Sequence, residues 1–329
     1  MGSRGALCRL APKRLRRTLV GVVAVAAISF VFAGTVGAGT TTTSTTPVTP
    51  AAAPDPIGPF GYTNGPVFAG GGAPTCRFYK VALGNGVAEE LGTGLPCADG
   101  YTFNGQGVLY AYTSPIVRGT PSNNSKLVTV NLANGAQTIV GDMGHVYFDG
   151  GMTFDKDGNL WLYADTNDQS CSGQSCLYSV NAQTGATTLV GDDDEFLATG
   201  LAANCSTVYA TGAILDGVFT ADALWTVNTG TGDVTEVGSG LGLNLFTSGL
   251  DFASDGTLYT IGSPATTGPL VNAPRTATVN TTTGVASNPQ TWTSDDPVPG
   301  FVNGLAVSGL SCSTPAPPAP PAIQPTFTG

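Results

Sequence analysis

Short apolar runs, cut by glycine-centred polar turns, recur along the chain at a nearly constant spacing. The clearest unit has the form Leu-aromatic-x-Val-Asn-x-x-x-Gly. It reads Phe78-Tyr79-Lys80-Val81 with Gly86, Leu127-Val128-Thr129-Val130 with Gly135, and Leu177-Tyr178-Ser179-Val180 with Gly185. It continues as Leu224-Trp225-Thr226-Val227 with Gly232 and Thr276-Ala277-Thr278-Val279 with Gly284. Successive valines are 49, 50, 47 and 52 residues apart, and the glycine follows its valine by five residues in every copy. A second glycine follows six residues later at Gly92, Gly141, Gly191 and Gly238; the fifth copy has Gln290 there, with Trp292 nearby.

Two further elements complete the unit. One opens with Gly-apolar pairs: Gly100-Tyr101, Gly151-Met152, Gly200-Leu201, Gly249-Leu250 and Gly304-Leu305. The other places an aromatic after an aliphatic: Leu109-Tyr110, Leu160-Trp161, Val208-Tyr209, Leu258-Tyr259 and Val67-Phe68. Runs this short, bounded by turn residues able to take positive φ, predict antiparallel strands. No window carries a sustained apolar stripe at helical period, which excludes a helical solenoid. Four strands in a repeat of this length are a propeller blade. Labelled outward from the axis as A (Gly-Leu-x-Phe), B (x-Leu-Tyr), C (Leu-Tyr-x-Val) and D (x-x-Val-Gly), the strands predict an all-β, five-bladed propeller. The chain starts at B, expected at Val67, and ends at A, expected at Leu305. The terminal strands therefore share one blade, and the ring has no open edge.

The ends of the chain change the charge and the compartment. Arg4, Arg9, Lys13, Arg14, Arg16 and Arg17 precede an apolar stretch from Leu19 to Phe32 and the small residues Val36-Gly37-Ala38. This predicts a cleaved signal peptide over 1–38 and a secreted protein, the alternative being an uncleaved N-terminal membrane anchor. Arg16-Arg17 leaves general and twin-arginine export both open. A Thr/Pro-rich linker is expected over 39–57, the propeller over 58–313 and a Pro-rich disordered tail over 314–329. Removing the signal leaves six Lys and Arg against 22 acids, a net charge of −16. Such a chain excludes nucleic acid and anionic lipid as partners and admits cations or neutral ligands. A monomer without membrane contact after cleavage is expected, with an extracellular protein or glycan as ligand.

Six cysteines remain after Cys8 leaves with the signal, an even number that in an exported chain reads as disulfides. In the blade scheme the B–C and D–A connections share one face, and the A–B and C–D turns share the other. Cys76 and Cys97 then flank one hairpin, Cys171 and Cys176 share one B–C loop, and Cys205 and Cys312 meet on the turn face. The expected pairs are Cys76–Cys97, Cys171–Cys176 and Cys205–Cys312. A zinc site is disfavoured, because Cys-x4-Cys here has no supporting histidine.

Leu177–Gly191, Leu-Tyr-Ser-Val-Asn-Ala-Gln-Thr-Gly-Ala-Thr-Thr-Leu-Val-Gly, resembles repeats of secreted bacterial propellers of unknown function. Gly249–Tyr259, Gly-Leu-Asp-Phe-Ala-Ser-Asp-Gly-Thr-Leu-Tyr, is similar to units of the NHL and gluconolactonase-like superfamily. The resemblance spans Val67 to Cys312 and implies a fold rather than an activity. Lactonase-like members hold calcium near the axis with Glu, Asn and Asp. No such set is matched here residue by residue.

The B–C and D–A face has the longer connections, 114–126, 165–176, 213–223 and 263–275. Its D–A loops carry Asp142, His145 and Asp149, then Asp192, Asp193, Asp194 and Glu195, then Asp295 and Asp296. Loops that feed the innermost strands should converge on the axis. The first and third groups are therefore ligand-face candidates, and the second is a candidate calcium site through carboxylate oxygens; a solvated acidic rim is the plainer reading. No cofactor other than calcium is expected. Asp155-Lys156-Asp157-Gly158-Asn159 lacks the downstream glutamate of a calcium loop and reads as a hairpin turn. His145 is the sole histidine, and no Gly-x-Ser-x-Gly elbow accompanies it, so no catalytic residue is assigned. Tyr110, Trp161, Tyr209 and Tyr259 recur with the repeat and are expected to pack between blades, as is Trp292. A non-enzymatic binding module is the leading functional expectation; a calcium-assisted hydrolase or lactonase acting on a small sugar-derived substrate is the alternative.

Overall fold

The computed structural model describes residues 58–67, 75–113, 124–193, 195–214, 222–243, 245–264, 273–294 and 302–308. All lie within one of the chain's two compact units, Ala51–Gly329. Among the described residues there are twenty strands and no helix. Blade I comprises β4 (Ala98–Phe103), β5 (Leu109–Thr113), β6 (Lys126–Val130) and β7 (Gln137–Asp142). Blade II comprises β8 (Tyr147–Phe154), β9 (Leu160–Thr166), β10 (Cys176–Val180) and β11 (Thr187–Asp192). Blade III holds β12 (Phe196–Ala203), β13 (Val208–Ile214), β14 (Ala223–Val227) and β15 (Val234–Val237). Blade IV holds β16 (Leu245–Phe252), β17 (Leu258–Pro264), β18 (Arg275–Val279) and β19 (Ala286–Thr291). Blade V is composite. β20 (Asn303–Val307) pairs with β1 (Phe60–Val67), which continues into β2 (Thr75–Ala82) and β3 (Ala88–Leu95). The innermost strands β4, β8, β12, β16 and β20 each pack on the next, and β20 packs back on β4, closing a five-bladed propeller.

Local chemistry accounts for the repeat. In the C–D turns, Asn131, Asn181, Asn228 and Asn280 each accept a bond through Oδ1 from the amide two residues on, at 2.9 Å. Each also accepts one through its backbone carbonyl from the turn glycine; Gly185 donates to Asn181 at 2.7 Å. That glycine must adopt positive φ, 78° at Gly185, which explains its fixed distance from the valine. The second glycine has a different cause. A Cβ on Gly191 would lie 1.9 Å from the Thr231 carbonyl oxygen of blade III, and one on Gly141 would lie 1.8 Å from that of Thr184 in blade II. The D strand of each blade is thus pressed against the C–D turn of the next. At the blade IV–V joint, Gln290 stands in this position. There backbone bonds join the blades instead: Ala88 donates to the Thr293 carbonyl at 2.8 Å and Thr293 to that of Gly86 at 3.0 Å.

The core is divided among the joints, because each sheet buries both faces against its neighbours. Tyr112 and Leu127 of blade I meet Tyr147, Met152, Leu162 and Tyr178 of blade II. Tyr163 and Leu177 meet Phe196, Leu201 and Trp225 across the next joint. Tyr209 and Leu224 meet Leu250 and Phe252. Tyr259, Ile261 and Trp292 meet Tyr79, Val81 and Leu305, and Phe78 and Ala306 meet Tyr101 and Leu109. The repeating aromatics do pack between blades: Tyr110 lies edge-on to Phe154 at 5.4 Å and Tyr209 tilted against Phe252 at 5.8 Å. Trp292 is buried edge-on to Tyr79.

One strand differs from the sequence expectation. Val67 ends β1, and the position equivalent to Leu109, Leu160, Val208 and Leu258 is Gly61, paired with Val81. A Cβ on Gly61 would sit 2.6 Å from Leu305 Cδ1 and 3.1 Å from Leu83 Cδ2. Leu305 and Leu83 fill the volume that a leucine occupies in the other blades, so the aliphatic-aromatic signature there is missing. Asn64 then fastens the composite blade to blade I, donating through Nδ2 to the Ala98 carbonyl at 2.8 Å and to the Tyr101 hydroxyl at 2.9 Å.

Cys76–Cys97 and Cys171–Cys176 are bonded, with Cα atoms 5.0 and 5.9 Å apart. Cys205 is disulfide-bonded as well; Cys312, its expected partner, lies outside the described residues.

Candidate functional site on the loop face

The β7–β8 connection, one of the D–A loops, is held from both sides. Ser125 donates through its amide to the His145 carbonyl at 2.9 Å and accepts from the Met143 amide at 3.0 Å, while its Oγ accepts from the Tyr147 amide at 3.0 Å. On the other flank, Asn167 Oδ1 accepts from the Val146 amide at 2.9 Å. His145 is thereby fixed with its ring 6.4 Å from that of Tyr147 and its Nε2 3.6 Å from Asp168 Oδ2. The same Asp168 oxygen accepts from the Tyr178 hydroxyl at 3.0 Å, and Oδ1 accepts from the Ser170 amide and hydroxyl at 2.9 and 2.6 Å. Burial pushes the Asp168 carboxyl up, but the bonds from Ser170 and Tyr178 and the nearby imidazole outweigh it, and the group lies below its ordinary value. Ser170, Asp168 and His145 are arranged with the carboxylate in the middle. Acyl transfer by serine needs the imidazole in the middle, so these three do not form a hydrolytic triad.

An aromatic line connects this cluster to the axis side of blade I. Tyr178 lies 5.2 Å from Tyr147, which lies 6.2 Å from Tyr112. Tyr112 is fully buried and its hydroxyl has no hydrogen-bond partner. Burial pushes that hydroxyl well above its ordinary value, and the charges of Asp99, Asp149 and Asp165 push it the same way. Asp99 sits opposite Tyr112 in the β4–β5 ladder. Asp149 and Asp165 meet at a bulge, where Phe148 and Asp149 of β8 face the single residue Asp165 of β9.

The acids expected to act together are distributed. Asp142 accepts from Lys126 Nζ at 2.5 Å, Asn124 Nδ2 at 3.0 Å and the Gly144 amide at 2.7 Å, and these bonds lower its carboxyl to about 2. Asp192 Oδ2 accepts from the Ser172 amide and hydroxyl and the Gly173 amide, at 2.9, 2.6 and 2.7 Å, tying down the Cys171–Cys176 loop. Asp192 and these two sulfurs come within 4.8 Å of one another, but the sulfurs are bonded to each other and are not thiolate ligands. Asp193 Oδ2 accepts from the Val234 amide of blade III at 3.4 Å, and Glu195 is exposed. Asp194, Asp295 and Asp296 lie outside the described residues. Of the expected acids, Asp149 alone adds its charge to those acting on Tyr112. Asp99, Asp165 and Asp168 were not singled out from sequence, since each stands at or just beyond a strand end like an ordinary solvent-facing polar residue. The turn Asp155–Asn159 is a hairpin, with Asp155 Oδ1 accepting from the Asp157 and Asn159 amides at 2.9 Å.

Comparison with solved structures finds matches at very low sequence identity. TolB from Acinetobacter baumannii matches with a TM-score of 0.45 and 12% identity, covering 77% of this chain and 67% of that one. XC5397, a gluconolactonase from Xanthomonas campestris, matches at 0.41 and 13%, over 77% and 84% of the two chains. An exo-β-1,3-galactanase from Phanerochaete chrysosporium matches at 0.47 and 11%, over 63% and 54%. No protein-family model and no curated protein matches the chain.

Proposed function

We propose that the chain is an exported, non-enzymatic binding module that presents the face of its B–C and D–A connections to a protein or carbohydrate ligand. The observation that carries this reading is the prearranged, partly exposed cluster of His145, Asp168 and Tyr178 on that face, hydrogen-bonded to its own scaffold and without an activated nucleophile. The opposite face is made of tight Asx-type turns whose side chains are consumed by their own backbone. Disulfides suit an oxidising compartment and so support export. Glycan and extracellular-protein arrays test the proposal. A specific ligand is expected, its binding weakened by His145→Ala and Asp168→Asn. Arrays empty for the folded, disulfide-intact protein would refute it.

A second reading, a calcium-assisted hydrolase or lactonase on a small sugar-derived substrate, is favoured by three carboxylates, Asp99, Asp149 and Asp165, whose charges bear on the buried Tyr112. It requires turnover that depends on calcium and is lost in Asp149→Asn. A screen of sugar lactones and esters with calcium and with chelator separates the two readings.

A further inference from the structure

We infer that the loop-face end of the joint between blades IV and V is a subsite for a neutral carbohydrate, whose hydroxyl groups bond Arg77, Ser263 and Trp292. This deepens the binding-module reading, on which it rests, by naming the class of ligand.

Among the described residues, six buried side-chain atoms have no hydrogen-bond partner, and three of them, Arg77 Nε, Ser263 Oγ and Trp292 Nε1, belong to this one joint. Strand alternation puts them there. Arg77 alternates with Tyr79 and Val81 in β2, and Ser263 with Tyr259 and Ile261 in β17; those four partners lie in the core between blades IV and V. Trp292 packs in the same core, its ring 5.9 Å from that of Tyr79. Its amide donates to the Pro274 carbonyl at 3.0 Å, and the next residue, Arg275, pairs with Gly262, so Ser263, Pro274 and Trp292 form a row across three strands. At the usual strand spacing that row is roughly 10 Å long. At this level β17 and β19 end and β2 and β18 begin, so the row opens on the face of the B–C and D–A connections. The other indoles are satisfied: Trp161 donates to Asp155 Oδ2 at 2.9 Å and Trp225 to the Gly212 carbonyl at 3.0 Å. Trp292 is 3% exposed with its N–H unmet, at the joint where Gln290 breaks the repeat. Buried polar groups are ordinarily bonded, so an indole N–H, a hydroxyl and a guanidinium Nε left unmet in one joint mark a place that another molecule completes.

The chemistry selects the ligand. The indole N–H and the guanidinium only donate, whereas the serine hydroxyl both donates and accepts. The charge of Arg77 is already met, since its Nη1 donates to Glu90 Oε2 at 2.7 Å. Glu90 stands opposite Tyr79 in the β2–β3 ladder and so faces the same joint. An anionic ligand would set a second negative charge beside Glu90 and would approach against the net charge of −16 left after signal removal. A cation would meet donors where it needs acceptors. A peptide carbonyl accepts but has no proton to give Ser263 or Glu90. Sugar hydroxyls do both, which matches donors and acceptors set in one joint. Arg77 and Glu90 keep 23% and 15% of their side-chain surface in solvent, so a ligand meets this pair first, and the more deeply buried Ser263 and Trp292 form the floor.

The test follows the indole N–H resonances of Trp161, Trp225 and Trp292 by NMR in the full, disulfide-intact protein. The probes are the methyl glycosides of glucose, galactose and mannose, then glucuronate and a capped Gly-Gly peptide. At least one methyl glycoside should move the Trp292 resonance saturably and leave the other two in place. Ser263→Ala and Arg77→Gln should each weaken that binding at least about fivefold, the worth of one hydrogen bond. Lys156→Gln, on the turn face, should leave it unchanged. Trp292→Phe assigns the resonance by removing it. Ser263→Ala deletes a single oxygen, so a readable variant remains where the larger substitutions do not fold, and thermal melting verifies this. Absence of saturable movement with all three glycosides overturns the inference. So does tighter binding of glucuronate or of the peptide, or wild-type affinity in both Ser263→Ala and Arg77→Gln. A protein ligand found on arrays whose binding ignores Ser263 and Arg77 leaves the binding-module reading standing and removes this one; glycoside binding at Trp292 with empty arrays does the reverse.

Discussion

Asp251 should make the ring lose stability as pH rises from the acid range toward neutrality. It stands in β16, where Oδ2 accepts from the Val307 amide of β20 and Oδ1 from the Phe252 amide, both at 2.8 Å. Although part of the residue remains accessible, the surrounding protein raises its carboxyl to about 7, burial outweighing the two amide bonds. In the unfolded chain the group titrates near 3.9. Between those two values the folded state binds more protons, so stability is highest at and below pH ~4, declines as pH rises toward about 7 and is level above. The full displacement is worth at most ~4 kcal/mol, and water access at Asp251 reduces this to ~2 kcal/mol. For a domain of this size that is roughly 4–8 °C in melting temperature. The assay is thermal unfolding of wild type and Asp251→Asn from pH 4.5 to 8. The difference between the two curves isolates this residue from every other titrating group. The wild type should fall relative to the variant by the stated amount; parallel curves, or a wild type that gains stability with pH, would refute the reasoning.

Gly191→Ala should lower stability by about 1–3 kcal/mol in denaturant titration, because its methyl group would meet the Thr231 carbonyl and the backbones must part. Asn64→Ala should cost about 1–3 kcal/mol by removing the bonds to Ala98 and Tyr101, with the Tyr101 hydroxyl left buried. Replacing the Cys76–Cys97 pair by serines should cost ~3 kcal/mol, against ~2 kcal/mol for Cys171–Cys176, because the first closes the longer loop, 21 residues of separation against 5. The two double variants, compared by calorimetry, give the order.

Blade number, strand order and two disulfide pairs were legible because each repeat writes its own turns: asparagine accepts locally and glycine alone tolerates the conformation that follows. Legibility failed where a neighbour decides the residue. Gly61 reads as no strand signal, since its apolar volume is supplied by Leu305 from the far end of the sequence. Likewise His145 and Asp149 were visible as loop polar residues, while Asp99 and Asp165 gain meaning only from pairing register and a bulge. Asp192 illustrates the reverse: an acidic run suggested a metal, yet the nearest donors were the amides of its own blade.

The composite blade concentrates mechanical vulnerability in very few residues. Strand β20 is five residues long, yet it forms the inner edge of its blade and touches both flanking inner strands, β4 and β16. A protease that removed Asn303–Val307 would open two joints in a single cut and expose Leu83 and Gly61 beneath. Resistance of the ring to proteolysis therefore turns on β20, the last of the described strands, rather than on average stability.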